Sequence, residues 1–143
     1  MQRVIQRKFP AIFLLLFLIS SCRVTLVPEY NARLETQITD AAKATDRLYI
    51  DLLGEELSAR NYDRIQARYN DLEAEINSIE LINQGRVKND DFLAIIKNLK
   101  DAFHEAKEYH KEHKTLSNGE IKAYQATLAG YWKPLYVAER SLK

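Results

Sequence analysis

Cysteine is all but missing from this 143-residue chain. Cys22 stands alone, so no intramolecular disulfide can form and the core must hold without a covalent staple. Strand-like alternation of apolar and polar residues is absent, as are internal repeats and low-complexity tails. Only four glycines and three prolines punctuate the chain. The motifs of the common chemistries are missing too. There is no glycine-rich phosphate loop, no Gly-x-Ser-x-Gly and no His-Glu-x-x-His; the nearest approach to the Glu-x-x-His of a di-iron bundle is a single Asp101-Ala-Phe-His104. Beyond Cys22 no thiol remains to act as a nucleophile. The expectation is a protein that is not an enzyme. The paired acids Asp90-Asp91 and Glu55-Glu56 read as helix-end residues rather than as an acid–base pair.

A long apolar run is lacking as well. The one apolar stretch, Phe9 to Ile19, is interrupted by Pro10 and falls short of the roughly 20 residues that a helix needs to cross a hydrocarbon core. Arg3, Arg7 and Lys8 precede it without an acid, and Ser20, Ser21 and Cys22 follow. A basic segment, a short apolar segment and small residues before a cleavage point describe a secretory signal. Ile19-Ser20-Ser21-Cys22 resembles the lipobox of bacterial lipoproteins. The resemblance covers the first 22 residues only. It implies removal of residues 1–21, diacylglycerol on the Cys22 thiol and acylation of the new amine. An uncleaved anchor with an incidental cysteine is the alternative, and both tether the chain to a membrane. In Gram-negative lipoproteins an aspartate after the cysteine marks retention in the inner membrane; here the residue is Arg23. The resemblance therefore implies a cell-envelope protein, on the outer membrane and facing the periplasm if the source has two membranes.

The whole-chain net charge is +1, but the signal carries three bases and no acid. The mature part holds 18 Lys and Arg against 20 Asp and Glu, a net charge of −2, which offers nothing to nucleic acid. Residues 22–28 read as a short lipidated tether and 29–143 as one domain.

Within that domain the apolar residues recur at steps of three and four. Pro28 and Glu29 open a first helical pattern striped by Leu34, Ile38, Ala41, Thr45, Leu48 and Leu52, with Gly54 as its stop. Asn61 caps a second, through Tyr62, Ile65, Tyr69, Leu72, Ile76 and Ile79 to Gly85. Asn89, Asp90 and Asp91 begin a third, striped by Phe92, Ile96, Leu99, Phe103, Ala106, His110 and His113. Ser117 to Glu120 forms a capping box for a fourth, with Ile121, Tyr124, Leu128, Tyr131, Leu135, Ala138 and Leu142 on one face. Four amphipathic segments with short links predict an all-α antiparallel four-helix bundle; a long two-helix hairpin is the architectural rival. Pro134 lies inside the fourth segment and faces the carbonyl of Gly130, which predicts a kink there, or a helix end near Lys133.

Three groups of residues are candidates for function. His110 and His113 are three apart, share a helical face and could hold zinc, copper or nickel if Asp51, Glu55, Glu56, Asp63 or Glu120 supplied a further ligand. The competing reading is complementation of the helix dipole by imidazoles near a C-terminus. His104 falls off the stripe and reads as solvated. Tyr62, Tyr69, Tyr124 and Tyr131 are spaced in sevens on the inward stripes, as bundle-edge tyrosines or as the lining of a small-ligand pocket. Trp132 and Tyr136, in "GYWKPLY", fall beside the main stripe; Trp132, if exposed near the kink, would contact lipid headgroups or a protein partner. Two functions remain in view: a non-enzymatic interaction or structural component of the envelope, with an envelope protein as partner, and a ligand- or metal-binding bundle.

Overall fold

The computed structural model describes residues 27–143. Cys22 and the segments expected to be a signal (1–21) and, for the most part, a tether (22–28) lie outside the described residues. The domain is an antiparallel four-helix bundle: α1 (Ala32–Gly54), α2 (Tyr62–Gln84), α3 (Asp90–His113) and α4 (Asn118–Arg140), with a single 3-10 turn (Leu57–Ala59) between α1 and α2. Consecutive helices pack together and α4 closes the ring against α1. Each helix has 23 or 24 residues, about 35 Å of rise, so the bundle has two well-separated poles. The near pole holds the start of α1 and the end of α4. The far pole holds the α1–α2 and α3–α4 links.

Local chemistry sets the helix ends. α1 opens at Ala32 rather than at Pro28 and Glu29, and Asn31 caps it, its side chain accepting from the amides of Arg33 and Leu34. Asn61 caps α2 through the Asp63 amide. The Ser117–Glu120 capping box is fully made. Asn89 does not cap α3: its side chain is buried and donates instead to the backbone and side-chain oxygens of Asn83. Among the described residues those with positive φ are two lysines, Lys88 and Lys114, one in each link that flanks α3.

The stripes of α1, α2 and α3 form the core much as their spacing requires, with Leu34, Ile38, Leu48, Ile76, Ile79, Ile96 and Leu99 withdrawn from solvent. α4 differs. It runs unbroken through Pro134, so the helix does not end near Lys133. Its buried residues are Ile121, Leu128, Trp132, Leu135 and Glu139, and Tyr124, Tyr131 and Ala138 sit half-buried at the flank. The two stripes share Ile121, Leu128 and Leu135, and after Leu128 and Leu135 they differ in whether the next residue lies three or four positions on. Both fit a 3.6-residue period. Packing against α1 selects the second.

Candidate functional site

That rotation corrects the expectation for Trp132. The indole is only 4% exposed, and its Nε1–H donates to Thr45 Oγ1 at 3.2 Å. The threonine hydroxyl in turn donates to the Ala41 carbonyl at 2.8 Å. Thr45, on the apolar stripe of α1, is there to satisfy the tryptophan. Trp132 thus presents no free indole N–H to lipid or to a partner. It does help to line a groove of about 320 Å³ between α1 and α4, with Ala42 and Ala129, between Thr39 and Asp46 on α1 and Gln125, Lys133 and Tyr136 on α4. Small residues at Ala42 and Ala129 leave this groove open, and the Gln125–Asp46 hydrogen bond (2.6 Å) spans the two helices beside it. Tyr136 is half-buried at its rim.

The histidines are also separated by the fold. His110 is wholly buried; its Nε2–H donates to the Arg60 carbonyl at 2.8 Å, and its Nδ1 accepts the Tyr69 hydroxyl at 3.1 Å. Both ring nitrogens are thereby committed to the protein. Burial lowers the pKa of this imidazole, which fits the neutral tautomer those bonds require. His113 is exposed, stacked on Tyr109 at 3.9 Å, its Nδ1–H turned back to the Tyr109 carbonyl. Residues three apart lie 60° round a helix, and here the core boundary falls between them. Glu120 accepts from Tyr109 at 2.5 Å and from the Ser117 amide at 2.7 Å, and these bonds hold its carboxyl down at about 2. Among the described residues no three His, Cys, Asp or Glu side chains converge as a metal-binding group. His104 is exposed.

The tyrosines likewise do not form one lining. Tyr62 and Tyr69 are buried and stack at 5.8 Å, each with an edge contact to His110. Tyr124 is half-buried against Tyr109, and Tyr131 lies half-buried further along α4. Five grooves on the described surface are lined by other residues. Tyr49, which the α1 stripe omitted, joins the inner layer instead. It is fully buried beside Tyr69, its hydroxyl next to that of Tyr69 but without a well-formed hydrogen bond among the described residues, and burial raises the pKa of both phenols far above the usual value.

Two arginines that carried no pattern in the sequence hold the poles. At the far pole Arg60, 7% exposed, donates to the carbonyls of Leu53, Glu55 and Leu116 and to Asn118 Oδ1 (2.6 Å). A cation among carbonyls at the C-terminus of α1 also complements that helix's dipole. At the near pole Arg86 pairs with the fully buried Glu139 at 2.6 Å and donates to the Glu29 carbonyl. Glu139 also accepts the Asn31 amide at 2.6 Å. The chain's entry, the α2–α3 link and the last turn of α4 are thereby tied into one unit.

Comparison with protein-family models, with characterised proteins and with solved structures returns no match.

Proposed function

We propose that the protein is a lipid-anchored, non-enzymatic component of the bacterial cell envelope, tethered through Cys22 and presenting a helical face to a protein partner. The observation that carries the interaction half is the α1/α4 groove, apolar at its base, with Lys43, Asp46 and Lys133 placed at its margins. Its α1 residues begin seven positions into the helix, which sets the groove about 10–20 Å above the near pole. A partner held in the same envelope could reach it from the side. The anchoring half rests on the lipobox-like sequence at Cys22.

The test has two arms. Mass spectrometry of the mature protein should find residues 22–143 with acyl chains on Cys22, and Cys22→Ser should abolish both acylation and signal cleavage by the lipoprotein route. A photo-crosslinker placed at Lys133, on the rim, should give a discrete protein adduct in native membranes, and Ala129→Arg in the groove should eliminate it. An unmodified Cys22 in mature protein refutes the anchoring. Adducts that are unchanged by Ala129→Arg refute the groove.

A further inference from the structure

Six large apolar side chains among the described residues are exposed, and four of them belong to the near pole: Val27, Leu81, Val87 and Val137, each more than half accessible. Val27 leads into α1, and Val87 lies in the α2–α3 link. Leu81 and Val137 stand three residues before the ends of α2 and α4, about one turn from the pole. α2 and α4 occupy opposite corners of the ring of helices, so the four side chains surround the pole and do not form a patch on one flank. Four of the six exposed aliphatic side chains thus lie at the one pole that the chain enters from Cys22.

We propose that this near pole seats directly on the lipid bilayer, with Val27, Leu81, Val87 and Val137 dipping into the interface. The inference rests on the anchoring of Cys22 proposed above. Five residues lead from Cys22 to Val27, a reach of at most about 18 Å even when fully extended. A folded domain of some 100 residues is about 30 Å across and does not fit between this pole and the membrane that holds the lipid. The bilayer itself is the surface within reach. The Arg86–Glu139–Asn31 cluster makes the pole a rigid platform, because it locks the entering chain, the α2–α3 link and the end of α4 together. The charges around the pole are balanced: Arg33, Lys88, Arg140 and Lys143 stand against Glu29, Glu35, Asp90 and Asp91. Seating is therefore apolar in origin and does not call for anionic lipid.

Acylation blocks the Cys22 thiol, and the chain has no other cysteine, so an introduced cysteine can be labelled uniquely. The acylated protein is purified from membranes with a bimane label at Leu81, Val87 or Val137, or at the far-pole positions Ile50 or Leu57. It is then reconstituted into phosphatidylcholine vesicles containing doxyl-labelled lipid. The near-pole labels should be quenched severalfold more than the far-pole labels, and equally so when phosphatidylglycerol is added. The triple change Leu81→Ser, Val87→Ser, Val137→Ser, all at exposed sites, should leave the melting temperature unchanged and release a label at Val27 from quenching. Equal quenching at the two poles of protein whose acyl mass is verified overturns the seating and leaves the anchor intact. Quenching that requires phosphatidylglycerol overturns it in favour of electrostatic adsorption. An unmodified Cys22 overturns the anchoring, and the seating with it.

Discussion

Replacing Tyr49 and Tyr69 by phenylalanine, one at a time, should move stability in opposite directions, although each change removes the same single oxygen from a neighbouring, fully buried ring. The Tyr69 hydroxyl donates to His110 Nδ1 at 3.1 Å. Its loss leaves a buried imidazole nitrogen without a partner, a penalty of about 1–3 kcal/mol. Among the described residues the Tyr49 hydroxyl makes no well-formed hydrogen bond; its polar neighbour is the Tyr69 hydroxyl, which is directed to His110. In the unfolded chain it is hydrated; in the bundle it forfeits that hydration for no more than a poorly aligned contact with the Tyr69 hydroxyl, so Tyr49→Phe removes a desolvation penalty and should stabilise by about 1 kcal/mol. Packing is nearly conserved in both cases, since the ring stays and no methylene is lost. The measurement is urea unfolding of the domain at pH 7.5, followed by helical circular dichroism. With a slope of about 2 kcal/mol per molar, the midpoint should rise by about 0.5 M for Tyr49→Phe and fall by about 0.5–1.5 M for Tyr69→Phe at unchanged slope. A fall of similar size in both variants would refute the reasoning, because it would mean that the Tyr49 hydroxyl makes a stabilising bond.

Two further outcomes follow from the buried polar groups. Burial lowers the pKa of His110, so below about pH 6.5 the unfolded chain takes up a proton that the folded one declines; stability should be level above that value and decline as pH falls from 6.5 toward 5, and His110→Gln should flatten that part of the profile. The carboxyl of Glu120, held at about 2, contributes in a separate window below pH 4.5, so wild-type urea midpoints that are level from pH 7.5 to 5 would contradict the buried neutral imidazole. Glu139→Ala should cost about 3–5 kcal/mol by leaving the Arg86 charge without its counter-ion and the Asn31 amide without its acceptor, while Glu139→Leu combined with Arg86→Met should recover much of the loss; a single-variant cost under about 1 kcal/mol, read from urea midpoints, would show that the pair is not sealed from water.

Much of the architecture is carried by local rules that act within one helix. The three-four spacing of Leu34, Ile38, Leu48 and Leu52, or of Phe92, Ile96, Leu99 and Phe103, leaves an α-helix with one apolar side and no means of burying it except against similar helices. The Asn61 cap and the Ser117–Glu120 box depend on residues within three positions of each other and were legible for that reason. The envelope address we propose rests on the sequence around Cys22 alone, which lies outside the described residues. Tertiary structure decided what periodicity leaves open. A 100° step between neighbours cannot choose between Tyr131 and Trp132, or between Ala138 and Glu139, when both alternatives share Leu128 and Leu135; contact with Thr45 and with Arg86 chose the second of each pair. Nor could spacing foresee that His110 and His113 would fall on opposite sides of the core boundary, or that Tyr49 would turn inward beside Tyr69. Arg60 and Arg86 carry no local signal, because a buried cation needs acceptors, and theirs arrive from residues up to 58 positions away, at Asn118 and Glu139. The helices were written into each segment separately, whereas the buried polar joints that lock the poles exist only once all four segments are in place.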